Sequence, residues 1–290
     1  MVDPVPDTNS RAQLLAEARL LVSWALGAAG PWLPAETAIP DAWQDPVPAP
    51  AKGPAAVAGG PVTSGPRSSP SRPAARSASP AVTTLETGPV TTLEPVTPEE
   101  CKTGMAQMAE EVSSCTRCVL AGTRQQTVFG EGSLGARLVI VGEAPGAEED
   151  RTGRPFVGAA GQLLTKMLEA IGLAREDVYI CNLLKCRPPG NRNPRPDEVG
   201  RCKPFLKEQL RLIQPEVVLA LGAPAARELL QTHRGITSLR GRYMKTQEGH
   251  RVMPTFHPAY LLRNPAAKRE VWADLQRVAA TLGLEIPKRR

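Results

Sequence analysis

Aromatic residues are scarce in this sequence, since Phe, Trp and Tyr together make up only 4% of its 290 residues. Proline is abundant by contrast, with 30 residues, about twice the usual share. A chain of this length could bury a large core in one or two domains. The composition indicates that only part of the chain contributes to such a core.

Long apolar runs are also missing. The longest apolar stretch, residues 20–33, is interrupted by Ser23, Gly27 and a Gly-Pro pair, and is too short and broken to span a membrane. The first residues carry no basic cluster of the kind that opens a signal peptide. These absences predict a cytoplasmic protein with no membrane contact, in which thiols stay reduced and a cysteine cluster indicates metal binding more than disulfides.

Two common nucleotide-binding patterns are absent, since neither G-x-G-x-x-G nor the P-loop pattern occurs. A nucleotide-cofactor enzyme is therefore poorly supported. The formal net charge is +6 and the sequence pI is about 9.1, which allows a polyanionic partner such as nucleic acid but indicates it only weakly.

The first hundred residues divide into a helical segment, residues 1–34, and a linker, residues 35–97. An amphipathic pattern over residues 10–29, with Ser10 at the N-cap position, predicts one helix. This helix is either solvated and weakly docked, or binds an unknown protein partner or a membrane surface. The linker range is rich in Pro, Ala, Ser, Thr and Gly, cannot bury enough apolar surface to order itself, and is predicted to be disordered.

Residues 98–290 form the predicted globular domain, in which strands and helices alternate. Strands are predicted over residues 136–142, 177–186, 216–222 and 251–258, and helices over residues 159–173, 196–213, 223–231 and 268–283. This alternation predicts an α/β fold with a mostly parallel sheet covered on both faces. Ligands of such sheets bind at the carboxyl ends of the strands, where the segments around Gly142, Asn182 and His257 fall.

Six cysteines are present, and four of them form two spaced pairs. Cys115 and Cys118 form a C-x-x-C pair before the first strand, while Cys186 and Cys202 follow the second strand on either side of an Arg- and Pro-rich loop. Four thiolates suit either a zinc ion or an iron–sulfur cluster. From the spacing alone, unpaired buried thiols and a redox pair remain alternatives.

Three longer stretches match one family. The stretches GEAPGAEEDRTGRPFVGAAGQLL, NLLKCRPPGNRNP and FHPAYLLRNP, with these four cysteines in the same order, resemble the family-four uracil-DNA glycosylases over residues 101–285. The resemblance implies a three-layer α/β/α sandwich and a [4Fe–4S] cluster held by the four cysteines. It also implies a monomeric DNA-repair hydrolase that acts on uracil-containing DNA and leaves an abasic site.

The same resemblance assigns roles to residues at the strand ends. Phe156 would stack on a base flipped out of the duplex. The Asn182 amide, with one donor and one acceptor group, would read the N3–H and O4 edge of uracil. His257 would donate a hydrogen bond to uracil O2 as negative charge develops. Further contacts with the base and the deoxyribose would come from Gly142, Glu143 and Ala144.

Water activation and DNA contact involve a further set of residues. Glu149 is the acid best matched to position the attacking water or to exclude the thymine methyl group. Ala144 stands where related motifs carry a catalytic aspartate, so the residue that activates water is left open. In the last motif, Leu262 would fill the space left by the flipped base and Arg263 would contact phosphate.

Other functions remain open at this point. A relative that binds uracil in DNA with little turnover would share these motifs. A relative that traps the DNA covalently carries a histidine in the loop after the second strand, and RPPGNRNPRPDEVGR has none. An iron–sulfur electron carrier or a zinc-stabilised nucleic-acid-binding module would need the cysteines, but not Phe156, Asn182 and His257.

Overall fold

The computed structural model describes residues 39–40, 43 and 94–287. Pro40, Trp43 and residues 94–287 belong to one compact unit. The predicted helix over residues 10–29 and most of the predicted linker lie outside the described residues. Within the linker range, however, the Trp43 side chain is fully buried against the folded domain, which the composition did not predict.

The described residues form eight α-helices. They are α1 (Pro98–Ser113), α2 (Ala147–Thr152), α3 (Ala159–Glu169), α4 (Pro196–Ile213), α5 (Gly222–Leu230), α6 (Ile236–Leu239), α7 (Pro258–Arg263) and α8 (Lys268–Thr281). The prediction of four longer helices from periodicity is confirmed by α3, α4, α5 and α8. None of the eight, within this part of the chain, is long and apolar enough to cross a membrane.

The same residues form six strands in one sheet, in the order β1-β3-β2-β4-β6-β5. They are β1 (Glu131–Gly132), β2 (Leu138–Gly142), β3 (Tyr179–Asn182), β4 (Val217–Leu221), β5 (Met244–Lys245) and β6 (Arg251–Thr255). The four central strands run parallel and the two short edge strands run antiparallel. The prediction of a mostly parallel sheet is therefore confirmed, and the edge strands are additional.

Helices cover both faces of the sheet. The connection from β2 to β3 through α3 and the connection from β3 to β4 through α4 run in opposite directions along the sheet. Because such crossovers are right-handed, α3 and α4 lie on opposite faces. Helix α1 packs on α4, and α7 packs on α3. All residues of β2 and β4 are buried, as expected for strands between two helical layers.

The start of helix α1 is defined by local chemistry. Thr97 caps α1 by accepting from the Glu100 backbone N–H at 3.2 Å, and the Glu100 carboxylate accepts from the Thr97 N–H at 2.8 Å. Pro98 occupies the first turn, where no intrahelical donor is needed. This capping box explains why helix α1 begins at residue 98.

Candidate active site

An open cleft lies where the central parallel strands end. It encloses about 1090 Å³ of space, including its mouth. Its walls include seven residues that the sequence singled out: Glu143, Ala144, Glu149, Phe156, Asn182, His257 and Arg263. Three separate sequence motifs therefore meet at one site.

Gly142 brings two of these side chains together. It ends β2 and is the register partner of Asn182, the last residue of β3. A Cβ atom at Gly142 would lie 2.3 Å from Asn182 Oδ1 and 2.5 Å from Phe156 Cζ. Only glycine therefore allows the amide and the aromatic ring to approach the same strand end.

The side-chain oxygen of Asn182 is buried at the end of β3. The residue is 1% exposed, and its Oδ1 has no hydrogen-bond partner among the residues that the structure describes. A buried acceptor without a donor costs about 1–3 kcal/mol. Such an atom at the floor of a cleft is suited to accept a hydrogen bond from a ligand N–H group.

Phe156 is held in a backbone conformation that non-glycine residues rarely adopt, with φ at 51°. Arg175 donates to the Phe156 carbonyl at 3.0 Å and to the Pro155 carbonyl at 2.8 Å. On the other side, a Cβ atom at Gly161 would lie 1.8 Å from the Phe156 oxygen. Arg175 and Gly161 position the ring, and no local pattern in the sequence indicates either role.

His257 is the N-cap of α7 and faces the Phe156 ring, with ring centroids 5.6 Å apart. Its Nδ1 accepts a hydrogen bond from the Ala259 N–H at 3.1 Å, so the neutral ring carries its proton on Nε2. Burial, together with the smaller effect of the nearby Arg263 charge, lowers the pKa of His257 to about 4. The imidazole is therefore a neutral Nε2–H donor at physiological pH.

The two acids of the cleft differ in their surroundings. The Glu149 carboxylate accepts from three backbone N–H groups, those of Gly146 at 3.1 Å and of Val157 and Gly158 at 3.0 Å each. Glu149 therefore ties α2 to the segment before α3, in addition to facing the cleft. Burial raises the pKa of Glu143, the other acid.

Another wall of the cleft comes from the loop between Cys186 and Cys202. The motifs in the sequence assigned no role to the residues of this loop. Its lining residues are Pro188, Asn191, Arg192 and Asn193. Arg192 is oriented by the fully buried Glu198, with Nη1 to Oε2 at 2.9 Å and Nη2 to Oε1 at 2.5 Å. The Arg192 guanidinium lowers the pKa of Glu198.

Helix α7 contributes the outer edge of the cleft. Arg263 is exposed and lines the cleft, whereas Leu262 is half-buried and does not line it. Tyr260, to which the motifs assigned no role, is 38% exposed and also lines the cleft. The centroids of the Tyr260 and Phe256 rings are 4.9 Å apart. Of the predicted DNA-contacting pair, the structure therefore brings only Arg263 to this cleft.

A second hollow, of about 310 Å³ including its mouth, is lined by all four paired cysteines: Cys115, Cys118, Cys186 and Cys202. Arg124 donates to Cys186 Sγ at 3.5 Å, and the Lys185 backbone N–H donates to Cys202 Sγ at 3.2 Å. Burial raises the pKa of the Cys186 thiol to about 11. In the described part of the chain, no three ligating side chains form a group that could hold a single metal ion. The four cysteines thus line one hollow.

Known proteins are similar in sequence to this chain. The family model of the uracil DNA glycosylase superfamily matches residues 129–276. A type-4 uracil-DNA glycosylase of Thermotoga maritima is 47% identical over 184 residues, which cover 62% of this chain and 96% of that relative. A type-4 uracil-DNA glycosylase of Archaeoglobus fulgidus is 41% identical over 187 residues, covering 62% of this chain and 94% of the relative.

A type-5 uracil-DNA glycosylase of Pyrobaculum aerophilum is also similar, at 37% identity over 170 residues, 52% of this chain and 75% of the relative. The family match covers the strands β2, β3 and β6, whose ends build the cleft. The chain belongs to the uracil DNA glycosylase superfamily.

Proposed function

We propose that this protein is a type-4 uracil-DNA glycosylase, a DNA-repair hydrolase that excises uracil and leaves an abasic site. The observation that carries the proposal is the buried Asn182 acceptor, which has no partner in the described part of the chain, beside the Phe156 ring and the neutral His257 donor. The type-4 relatives, at 41% and 47% identity, support the assignment.

Recognition of uracil begins with removal of the nucleotide from the duplex, because its glycosidic bond is not accessible inside the stack. The Phe156 ring stacks on the extruded base. Asn182 Oδ1 accepts from uracil N3–H, and the other half of its amide donates to O4. Cytosine has no N3–H and carries an amino group in place of O4, so it mismatches both contacts.

The reaction breaks the bond between C1′ of the deoxyribose and N1 of uracil. The electron pair of that bond moves to uracil, and His257 Nε2–H donates to O2 as the charge forms. One such preorganised donor is worth about 2.7–4 kcal/mol in the transition state. A water oxygen then bonds to C1′ and its proton leaves to solvent or to the uracil anion, while Glu149 positions that water.

Contacts with DNA come from the rim of the cleft. Arg263 and Arg192 offer positive charge to phosphates on two sides. Leu262 remains the candidate for the space left by the flipped base. Tyr260, which is more exposed and adjacent on α7, presents an aromatic ring to the same opening.

We also propose that the cysteine hollow holds a [4Fe–4S] cluster through Cys115, Cys118, Cys186 and Cys202. The support is that these four cysteines, which are distant in sequence, line one hollow, and that four thiolates are the ligand set of such a cluster. Arg124 and Lys185 offset the charge of the thiolates. When bound, the cluster supplies a rigid connection between the segment after α1 and the loop that forms one wall of the cleft.

Three properties remain predictions of the sequence. They are the cytoplasmic location, the monomeric state and a protein partner for the helix over residues 10–29. The structure describes none of the residues of that helix.

The assay that tests the function uses purified protein and matched oligonucleotides that differ only in carrying uracil, thymine or cytosine at one position. Alkali then cleaves any abasic site. We expect strand cleavage only in the uracil oligonucleotide, with free uracil released in equal amount. Tight binding without cleavage would instead identify a uracil-binding relative, and a stable protein–DNA adduct would identify the covalent type.

A further inference from the structure

Trp43 stands in the linker range of the sequence, yet it is fully buried in the folded domain. Its indole N–H donates to the Lys166 carbonyl at 3.0 Å, and its ring packs edge-on against Trp272, with centroids 5.7 Å apart. Its carbonyl accepts from Lys268 Nζ, and its backbone N–H donates to the Pro40 carbonyl at 2.9 Å. Every polar group of Trp43 therefore has a partner. We name Lys166, Lys268 and Trp272 the Trp43 binding site.

These contacts have the properties of a specific interaction. A buried tryptophan removes about 150–250 Å² of surface from water, and tryptophan is enriched among residues that dominate binding energy. The site contacts the ring, the indole N–H and the carbonyl of Trp43. A tryptophan, together with its backbone carbonyl, is thus the ligand that this site fits.

The site is not a general requirement of the domain. The match with the Thermotoga maritima relative takes 184 residues of this chain and covers 96% of that protein. That relative therefore has no room for a counterpart of the first hundred residues. The interaction belongs to the N-terminal extension that this chain carries in addition.

The Trp43 binding site lies on helices that lead into the cleft. Lys166 is part of α3, which starts next to the segment that carries Phe156. Lys268 is the first residue of α8 and directly follows residues 258–267, which include Arg263 at the rim of the cleft. Helices α3 and α7 also pack on each other. Trp43 therefore bonds to α3, on which α7 packs, and to the first residue of α8.

We propose that Trp43 docks the N-terminal extension of the same chain onto the glycosylase domain, and that the docked tryptophan stabilises residues 258–267. The extension is then attached at two places, through Trp43 and through the covalent connection at α1. The segment that bears Arg263 depends on this contact for its order.

Thermal unfolding of the full chain tests the docking. We expect Trp43→Ala to lower the melting temperature by about 5–10 °C, because a large buried side chain is lost. Trp32→Ala, a matched change elsewhere in the extension, should leave it unchanged. Trp43→Phe, which keeps a ring but loses the indole donor, should melt between wild type and Trp43→Ala. Equal melting of the wild type and Trp43→Ala would overturn the proposal.

A peptide added in trans tests recognition. A peptide of residues 38–48, AIPDAWQDPVP, should restore the melting temperature of full-length Trp43→Ala, and the same peptide carrying Trp43→Ala should not. Failure of the first peptide at millimolar concentration would overturn recognition of the segment. A wild-type melting temperature that rises with protein concentration would show that a second copy supplies the tryptophan, and would overturn docking within one chain.

Hydrogen exchange tests the effect on the cleft edge. In Trp43→Ala, amides of residues 258–268 should exchange about tenfold faster or more, while those of β2 and β4 keep their wild-type rates. A merely global loss of stability would accelerate the slowest strand amides as well. Unchanged exchange in residues 258–268 would overturn the proposed stabilisation of this segment.

Discussion

Asn182, Phe156 and His257 carry the proposed chemistry, and the backbone places each in a different way. Asn182 is the end residue of a buried strand. Phe156 has a positive φ and is held through its carbonyl by Arg175. His257 caps α7, and this bond defines which ring nitrogen carries the proton. Groups fixed before the substrate arrives need little rearrangement when charge forms, which is the physical basis of transition-state stabilisation.

The His257 side chain is expected to act mainly in the transition state. His257→Ala should lower the single-turnover excision rate by about a hundredfold or more, while binding to a non-cleavable uracil duplex changes far less. The variant also loses the cap of α7, at a cost of about 1 kcal/mol of stability. His257→Asn, which can keep the cap with a shorter side chain, is the matched control. If His257→Asn excises uracil at the wild-type rate, the histidine donor is not needed.

The pH dependence of the same reaction follows from the low pKa of His257. With a pKa of about 4 in the folded protein and 6.5 ordinarily, the ring stays neutral as pH falls from 8 to about 5. We expect a flat excision rate over that range and a decline toward pH 4. The unfolded chain binds the proton more tightly, so this group's contribution to the free energy of unfolding is lost as pH falls from 6.5 toward 4. A rate that instead rises below pH 6.5 would indicate a protonated His257.

Asn182 is expected to determine the choice of base. Asn182→Asp should lower uracil excision about tenfold or more, because an ionised carboxylate cannot donate to O4. Excision rates on duplexes with uracil, cytosine and thymine, measured side by side, show whether the variant admits cytosine. Full uracil activity in Asn182→Ala would mean that another group reads the base edge.

Helices α3 and α4 each contain one glycine, but only the glycine in α3 affects the position of a residue in the site. Gly161 in α3 lies against the Phe156 carbonyl, where a Cβ atom has no room. Gly200 in α4 has no atom within 4 Å of the position its Cβ would take. The two glycines are both helical, but only Gly161 is required by its neighbours.

Alanine substitutions at these glycines should therefore have opposite effects. Gly200→Ala should stabilise the protein by about 0.5–1 kcal/mol through helix propensity, with normal excision. Gly161→Ala should destabilise it by about 1–3 kcal/mol through overpacking and should weaken uracil excision by displacing Phe156. Chemical denaturation and single-turnover assays on both variants check this. Normal excision by a folded Gly161→Ala protein would show that the Phe156 position tolerates movement.

The cysteine hollow connects parts of the molecule that are distant in sequence. Cys115 and Cys118 follow α1, while Cys186 precedes the loop that forms one wall of the cleft and Cys202 lies in α4, which follows that loop. A cluster held by all four would fix the chain before and after the loop. Loss of the cluster is therefore expected to affect the cleft, although no cysteine lines it.

Cys118→Ala tests this connection. The wild type, purified without oxygen, should hold about four irons per chain, and Cys118→Ala should hold less than about one. The variant should also melt at a lower temperature and excise uracil more slowly. Cys101→Ala is the control, since Cys101 lies in α1 away from the hollow and should keep its iron. One zinc per wild-type chain would rule out the cluster.

Several features of this protein were determined by the sequence alone. Short apolar runs predicted the strands β2, β3, β4 and β6. The helical periodicity of the sequence predicted both the first and the last residue of α4. Both patterns are local, so they can be recognised without the tertiary structure. The residues Gly142, Asn182 and His257 could be placed near one another because parallel strands bring their carboxyl ends to one edge. The two cysteine pairs were assigned to one site through the family resemblance, because their spacing alone left unpaired thiols and a redox pair open.

Only the tertiary structure decided how these residues are held. The bond from Arg175 to the Phe156 carbonyl spans distant elements, and so does the burial of Trp43 against Trp272. The three backbone donors on Glu149 depend on the path of the chain between α2 and α3. Such contacts form between groups that have no fixed spacing in the sequence. Their partners are chosen by the packing of whole helices on the sheet, which composition and periodicity do not encode.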